Sequence, residues 1–270
     1  MISKDTRVCI SVASRPGNIG TRVHNAAYAA LGLDFIYKAF GVEDIAGAIA
    51  GVRALGIRGV SVSMPFKESV IAHLDSLDET AQQIRSVNTV VNEPGGKLVG
   101  YNTDVSGARA ALESLQARPG ESVLLVGAGG AARAVLLALK QLGFGSVRVT
   151  NRTFDKLAEL NAILPCAPVA WDSRQREFAS LIINATSVGM NPDAEQGAVD
   201  EQFVRECRAV MDVVVSPVET RLIRCARAAG KATVPGSVMF LEQAMAQFTL
   251  YTGRPAPRCV MEQEILQLLG

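Results

Sequence analysis

Between Ser122 and Lys140 the chain reads SVLLVGAGGAARAVLLALK, and this stretch decides the fold. The apolar run at 122–126 predicts a buried strand, and residues 131–142 predict a helix with one apolar face. The glycine-rich turn between them lets backbone N–H groups approach a pyrophosphate closely, at the N-terminus of the helix that follows. We therefore predict the first βα unit of a Rossmann-type domain that binds a dinucleotide.

The turn itself supplies the first candidate cofactor ligands, which are Gly127, Ala128, Gly129, Gly130 and Ala131. A glycine pattern of this kind is weak evidence alone, but its place between a strand and an amphipathic helix makes it fairly specific. The alternative interpretation is a tight strand-to-helix turn that binds nothing.

The end of the next predicted strand, residues 146–150, indicates which nicotinamide cofactor is used. An NAD site usually has Asp or Glu about 20 residues after the glycines, where it accepts from the ribose 2′-hydroxyl. This chain has Asn151, Arg152 and Thr153 there instead. The planar, permanently charged Arg152 suits a 2′-phosphate, and Asn151, Thr153 and Lys156 are possible supporting donors. The sequence thus favours NADP, unless Arg152 is simply a solvated loop arginine.

On both sides of this stretch, the sequence predicts alternating strands and helices that form two α/β domains. Before the glycine turn, the pattern gives strands at 8–12, 35–40 and 59–63, with helices at 22–31 and 42–55. This order predicts a mainly parallel sheet whose active groups lie at the carboxyl ends of its strands. After the turn come a helix from Asp155, strands at 181–183 and 209–214, and helices at 238–247 and 261–269. The predicted domains are a substrate-binding and catalytic α/β domain (1–104), the Rossmann domain (105–237), and C-terminal helices (238–270) that return to the first domain.

Composition narrows the class of partner. With 49% hydrophobic and 20% charged residues, the 270-residue chain is globular, and its net charge of +1 favours neither nucleic acid nor a membrane surface. Five cysteines without a CxxC pair, and His24 and His73 without a nearby cysteine, argue against disulfides and against a metal site. We expect a cytoplasmic protein without an export signal or membrane span, which acts on a small molecule as a monomer or homodimer.

Three polar residues follow predicted strand ends upstream of the glycine turn. Lys67 comes after strand 59–63 and Pro65, Asn88 lies in a later loop, and Asp104 ends the segment Tyr101–Asp104. Taken alone, Lys67 is more often a solvated lysine. A lysine, an amide and a carboxylate that converge beside a nicotinamide would suit the oxidation of an alcohol.

These residues carry a family resemblance. Seven segments, in order over nearly the whole chain, resemble the shikimate/quinate dehydrogenase family: Ser63–Lys67, Ser86–Thr89, Tyr101–Asp104, Gly127–Ala132, Asn151–Thr153, Asn184–Met190 and Gly236–Ala244. The resemblance implies an α/β substrate domain completed by the C-terminal helices, with an NADP-binding Rossmann domain between them. It also implies reversible hydride transfer between shikimate and 3-dehydroshikimate, a step towards the aromatic amino acids.

The resemblance implies a role for each matching residue. Lys67 and Asp104 correspond to a catalytic pair that acts as one unit, in which Lys67 takes the hydroxyl proton as hydride leaves for the nicotinamide. The substrate ligands would be Asn88 and Gln243, with Ser63, Asn18 and Thr21 nearby. Met239 would line the nicotinamide, and the remaining cofactor contacts would be Thr186, Ser187, Met190, Val213 and Gly236.

The resemblance is weaker where the family binds the substrate carboxylate. Asn18 and Gly20 stand in place of the family's two carboxylate-binding serines, and Thr21 in place of a proline. Ser61 and Val215 replace a common asparagine and tyrosine. The chain is therefore most similar to the divergent, shikimate dehydrogenase-like branch. Either other residues hold the carboxylate (Ser14, Arg15, Asn18, Thr21 or Arg22), or the substrate is a close analogue, such as quinate, a larger ring acid, an amide or an amino analogue.

Two further alternatives stay open at this point. The first is a non-enzymatic NADP sensor, although a binder has no need of the pair Lys67 and Asp104. The second is another enzyme with this nucleotide domain, such as a methylene-tetrahydrofolate dehydrogenase or a glutamyl-tRNA reductase, which the segments at 101–104 and around Gln243 disfavour. His24 is interpreted as a structural residue at the start of a helix rather than a ligand, because nothing in the sequence pairs with it.

Overall fold

The computed structural model describes residues 2–145 and 147–269, and these form two compact units. The first unit comprises residues up to Thr103 together with 243–268, and the second comprises 104–242. Asp104 and residues 238–242 thus group with the second unit, next to the boundaries expected from the sequence. Ser146, which begins the predicted strand 146–150, lies outside the described residues, as do the two ends of the predicted domains, Met1 and Gly270.

The strands follow one another along the chain as expected for an α/β protein. They are β1 (Arg7–Ala13), β2 (Phe35–Gly41), β3 (Gly59–Val62), β4 (Ser76–Leu77), β5 (Thr89–Asn92), β6 (Leu98–Tyr101), β7 (Val123–Val126), β8 (Val147–Thr150), β9 (Ala167–Val169), β10 (Leu181–Asn184), β11 (Ala209–Asp212) and β12 (Ala232–Val234).

The helices are α1 (Ile19–Ala30), α2 (Ile45–Ala54), α3 (Glu79–Ile84), α4 (Asp104–Ser114), α5 (Gly130–Gln141), α6 (Phe154–Ile163), α7 (Glu201–Glu206), α8 (Arg221–Ala228), α9 (Gly236–Thr252) and α10 (Arg258–Leu269). Short 3₁₀ helices occupy Ser69–His73 and Trp171–Ser173. Helix α2 begins later than predicted because the Asp44 side chain accepts from the Gly47 N–H and caps it. Helix α9 runs five residues past its predicted end, to the left-handed Gly253.

The first unit contains a mixed sheet in the order β2-β1-β3-β5-β6-β4. Strand β1 pairs in parallel with β2 and β3, as predicted, whereas β5 pairs antiparallel with both β3 and β6. The antiparallel pair arises because Gly95 and Gly96, both at positive φ, form a tight turn between β5 and β6. As a result, the carboxyl ends of β1, β3 and β6 and the amino end of β5 share one edge.

Alternation along β1 divides the core of this unit between the two faces of the sheet. Ile10 and Val12 pack with an aliphatic cluster that includes Ile49 from α2. Cys9, on the other face, is buried near Tyr28 of α1. Both faces are therefore covered, which is expected for a sheet with parallel crossovers.

The second unit contains a fully parallel sheet in the order β12-β11-β10-β7-β8-β9. Numbered within the unit, this is the doubly wound Rossmann order, which reverses direction between β7 and β10. All four residues of β7, β10 and β11 are buried, as expected for central parallel strands. The glycine turn after β7 therefore lies at the switch point where such sheets bind nucleotides.

Among the described residues, the structure contains no helix that is both long enough and apolar enough to cross a membrane.

Candidate active site

Backbone hydrogen bonds join the loops at the shared edge of the first sheet. The Ser63 N–H donates to Val12 O (3.0 Å) and the Ser14 N–H donates to Met64 O (3.2 Å). On the other side, the Val87 N–H donates to Lys67 O (2.8 Å). The loop that carries Ser63 and Lys67 is thus fixed to the end of β1 and to the segment before Asn88.

Lys67 lies in this loop, four residues beyond the exposed Ser63. The ring of Phe66 is buried and anchors the loop, and the Phe66 N–H donates to Ser63 O (2.9 Å). The Lys67 side chain is half-buried. The proposed partner, Asp104, is the first residue of α4 and belongs to the second unit, directly after Thr103 of the first.

Asn88 is the centre of a polar cluster in the first unit. Its side-chain oxygen accepts from the Thr103 N–H (2.8 Å) and from Thr89 Oγ1 (2.8 Å). Its Nδ2 donates to Thr103 Oγ1 (2.9 Å), which in turn lies 3.4 Å from Gln243 Oε1. Two predicted substrate ligands, Asn88 and Gln243, are therefore brought together through Thr103, a residue that the sequence analysis did not single out.

The N-terminal segment places the remaining predicted substrate ligands at the start of α1. Asn18 is exposed at the N-cap position without a side-chain capping bond, so its amide is available to solvent. Thr21 Oγ1 is buried without a hydrogen-bond partner among the described residues. Arg22, in contrast, forms an ion pair with Glu264 of α10 (2.5 Å), which leaves it less suited to hold a carboxylate.

Gly20 carries no side chain where the resemblance implies a serine. A Cβ atom built at Gly20 would lie 3.8 Å from the Tyr37 hydroxyl, which is ordinary van der Waals contact. The side chains of Ser11 and Ser61 lie beside the same hydroxyl. Gly20 therefore supplies no side-chain donor for a substrate carboxylate.

His24 lies in the second turn of α1 rather than at its start, because the helix begins at Ile19. Its imidazole is buried and stacks on the ring of Tyr37, with the ring centroids 4.5 Å apart and the planes within 6°. Tyr28, Phe248 and Tyr251 complete the surrounding aromatic group. Burial lowers the pKa of His24 to about 4, so the imidazole is neutral at physiological pH.

The glycine turn of the second unit presents open backbone. Gly127 has φ +121°, and a Cβ there would lie 2.8 Å from Ala185 O, so no other residue fits without a shift. Gly129 is the N-cap of α5 and has nothing within 4 Å of the corresponding Cβ position. The first turn of α5 carries no acidic residue and no side-chain cap. The predicted residues 127–131 thus form an N-terminus suited to an anionic group.

The residues after β8 lie as the sequence analysis expected, at the carboxyl end of the neighbouring strand. Asn151 Nδ2 donates to Thr153 O (2.8 Å) and shapes the turn. Arg152, Thr153 and Lys156 are exposed. The Arg152 guanidinium is thus presented at the strand end next to the glycine turn, since β7 pairs with β8.

A second buried polar cluster lies at the ends of β10 and β11, around Asp212. The Asp212 Oδ1 atom accepts from Asn184 Nδ2 (3.0 Å) and from the Val214 N–H (3.0 Å). The Asp212 Oδ2 atom accepts from Thr220 Oγ1 (2.7 Å). Burial raises the pKa of Asp212 to about 6 despite these bonds. No role was predicted for Asp212 from the sequence, although an aspartate at the end of an apolar strand is a visible signal.

Asn184 also forms hydrogen bonds with the predicted cofactor loop that follows it. Its Oδ1 accepts from Thr186 Oγ1 (2.6 Å), and Thr186 Oγ1 accepts from the Val188 N–H (3.0 Å). Thr186 is therefore used to shape the loop, whereas the side chains of Ser187 and Met190 are exposed.

The last predicted cofactor residues lie where α9 begins. A Cβ at Gly236 would clash with the backbone of Val213 and Val214, so the start of α9 packs directly against the segment after β11. Val213 is half-buried, and Met239 is buried one turn further along α9. Within the described residues, no group of three or more His, Cys, Asp or Glu side chains could hold a metal ion.

Comparison with known families shows what the chain is similar to. A model described as the shikimate dehydrogenase substrate binding domain matches residues 19–90, and one described as the shikimate 5′-dehydrogenase C-terminal domain matches residues 236–266. A shikimate dehydrogenase-like protein of Haemophilus influenzae is 42% identical over 265 residues, covering 97% of each chain.

Solved structures give the same result. A shikimate dehydrogenase in complex with NADP⁺ is 32% identical with a TM-score of 0.91, covering 100% of this chain and 98% of the other. The enzyme from Thermus thermophilus, in complex with NADP(H) and shikimate, is 33% identical with a TM-score of 0.85, covering 96% and 99%.

Proposed function

The chain belongs to the shikimate dehydrogenase family, and on this premise we propose that it is an NADP-dependent oxidoreductase that interconverts shikimate and 3-dehydroshikimate, or a close cyclic hydroxy acid. The observation that carries the proposal is the buried cluster of Asn88, Thr103 and Gln243 at the strand ends of the first unit. Neutral amides and hydroxyls both donate and accept, which is what the ring hydroxyls of such a substrate require.

The second unit fits NADP. The backbone at Gly127 and Gly129 suits the pyrophosphate, because neither position carries a side chain that would block its approach. Arg152 would hold the 2′-phosphate, with Thr153 and Lys156 beside it. When bound, NADP⁺ supplies the acceptor for the hydride.

The proton is moved by the chain's own residues. In the oxidation direction, the substrate hydroxyl transfers its proton to Lys67 Nζ, and in the reduction direction the same group returns it. The Asp104 carboxylate offsets the positive charge of the lysine, so the pair acts as one unit. Asn88 and Gln243 hold neighbouring hydroxyls and thereby fix which ring carbon loses the hydride.

The carboxylate end of the substrate is held differently from the family pattern. We assign Asn18 to it, because its exposed amide lies at the N-terminus of α1. Thr21, one turn along, has an unpartnered buried hydroxyl that can also donate. Gly20 supplies no side-chain donor at this end, and quinate is the second candidate substrate to be tested.

The test is a steady-state assay of NADP⁺ and NAD⁺ reduction with shikimate and with quinate. Lys67→Ala is compared with Lys97→Ala, which removes an exposed lysine from the turn before β6 in the same unit. We expect turnover of a cyclic hydroxy acid with NADP⁺ that Lys67→Ala lowers by a factor of about 100 or more, the range of general acid–base catalysis. Lys97→Ala should retain full activity.

Two outcomes contradict the proposal. If Lys67→Ala kept full turnover and only raised KM, the assignment of Lys67 as a catalytic residue would be wrong. Tight NADP⁺ binding without turnover of any cyclic hydroxy acid would instead support a non-enzymatic sensor of NADP.

A further inference from the structure

Gln247 is a buried amide with partners on the substrate side of the first unit. It lies on α9 one turn after Gln243, and only 2% of its surface is exposed. Its Nε2 donates to Thr89 Oγ1 (2.9 Å), Ser61 Oγ (3.2 Å) and Asn88 O (3.3 Å). One side chain of the C-terminal segment thus contacts both β3 and the beginning of β5.

His24 of α1 interacts with the Gln247 side chain, which raises the pKa of the imidazole against the larger lowering effect of burial. His24 Nδ1 has no hydrogen-bond partner among the described residues. The Gln247 amide thus lies between His24 and the residues around Asn88, with its nitrogen bonded on the Asn88 side.

Asn88 is consequently held from two sides. Thr103 and Thr89 bind its side chain, while the Val62 N–H (2.8 Å) and Gln247 bind its backbone carbonyl. Thr89 Oγ1 accepts from Gln247 Nε2 and donates to Asn88 Oδ1, so Gln247 supports both the backbone of Asn88 and one partner of its side chain. The geometry of the Asn88 amide therefore depends on α9 as well as on the sheet.

We propose that Gln247 is a positioning residue for Asn88. It keeps the Asn88 amide at the place where the substrate hydroxyl binds. The inference rests on the proposed function, since it takes Asn88 as a substrate ligand.

A purely structural role would be served better by an apolar residue. Burying the Gln247 amide carries a desolvation cost that a methionine of similar shape avoids. What the polar group adds is a single orientation, because each donor has a defined acceptor. A positioning role explains why a polar group occupies this buried place.

The experiment replaces Gln247 by Met, which keeps the volume and removes the hydrogen bonds. Thr249→Ala, an exposed position on the same helix, is the matched control. Hydrogen–deuterium exchange of peptide 86–92 reports whether Asn88 is held, and steady-state kinetics report whether the substrate is affected. Thermal melting confirms that both variants fold.

We expect faster exchange in peptide 86–92 and an approximately tenfold rise in the KM for the cyclic hydroxy acid, the equivalent of one hydrogen bond. The KM for NADP⁺ should stay unchanged, and kcat should fall by less than about threefold. His24→Phe, which removes the polar neighbour of the Gln247 amide on the α1 side, should shift KM in the same direction by a smaller factor.

Unchanged exchange, or faster exchange with an unchanged substrate KM, would overturn the inference. If wild-type protein turned over neither shikimate nor quinate, that failure would belong to the proposed function. The exchange data alone would then decide whether Gln247 holds Asn88.

Discussion

At the strand ends of the first unit, side-chain amides and hydroxyls hold the loops, with Asn88 bonded to Thr103 and Thr89. At the strand ends of the second unit, Gly127 and Gly129 carry no side chains, and the surface there consists of backbone. The polar residue that organises the second unit, Asp212, is a buried acid, whereas that of the first is a neutral amide.

This difference follows from what each unit is proposed to bind. Ring hydroxyls are recognised by groups that donate and accept, so the first unit needs side chains in fixed orientations. A pyrophosphate is recognised by backbone N–H groups at a helix N-terminus, so the second unit needs side chains to be absent.

The largest change in stability is expected at the glycine turn. Gly127→Ala should destabilise the second unit by about 3 to 4 kcal/mol, because it combines a strained positive φ with a steric clash. The clash is with Ala185 O, 2.8 Å from the new Cβ. Urea unfolding and NADP⁺ titration measure the two effects. Gly129→Ala is the control, and it should weaken NADP⁺ binding while leaving stability near wild type; equal stability of both variants would contradict the account.

Acid should act on the two units in opposite directions. His24 has a pKa of about 4 when folded against 6.5 in a free chain, so the unfolded state binds more protons and stability is lost as the pH falls from 6.5 to 4. Asp212 has a pKa of about 6 when folded against 3.8, so the folded state binds more protons and stability is gained as the pH falls from 6 to 3.8. Each effect amounts to about 3 kcal/mol at most.

Hydrogen exchange of α1 and β11 at a series of pH values, corrected for intrinsic rates, separates the two. His24→Phe should flatten the pH dependence in α1 alone, and Asp212→Asn should flatten it in β11 alone. If hydrogen exchange in α1 and in β11 of the wild-type chain depended on pH with the same slope, neither buried group would control that dependence.

Removing the central amide of the first unit should cost less than the glycine change. Asn88→Ala leaves the Thr103 N–H without its acceptor, which costs about 2 kcal/mol of stability. It should also raise the KM for the cyclic hydroxy acid. Asn92→Ala, four residues along at the end of β5, is the matched control and should change neither. A substrate KM that is unaffected by Asn88→Ala would argue against its role as a ligand.

The smallest effect is expected at the edge of the nucleotide site. Arg152→Ala should weaken NADP⁺ binding by about 10- to 50-fold, the loss of a charge-assisted hydrogen bond, and should leave NAD⁺ binding nearly unchanged. Fluorescence titration with both reduced cofactors measures the ratio. Arg176→Ala, another exposed arginine of the second unit, serves as the control. An equal loss for both cofactors would place Arg152 elsewhere than at the 2′-phosphate.

Local pattern was sufficient for most of the elements. The alternation of strands and helices, the turn at 127–131 and the arginine after β8 could be identified because each depends on neighbours within a few residues. The antiparallel β5 and β6 were not identified, since a sequence period of two does not state the direction of pairing. The start of α1 was placed three residues late because no N-capping bond marks it.

The sequence alone was sufficient to predict the two α/β units and the family, and to name the residues that we propose carry the chemistry. The tertiary structure decided how those residues are held: Thr103 joins Asn88 to Gln243, which lies 140 residues beyond Thr103, and Gln247 binds Asn88 from 159 residues away. Such partners leave no local signal, because a hydrogen bond depends on distance in space. That distance is set when α9 returns to the sheet of the first unit.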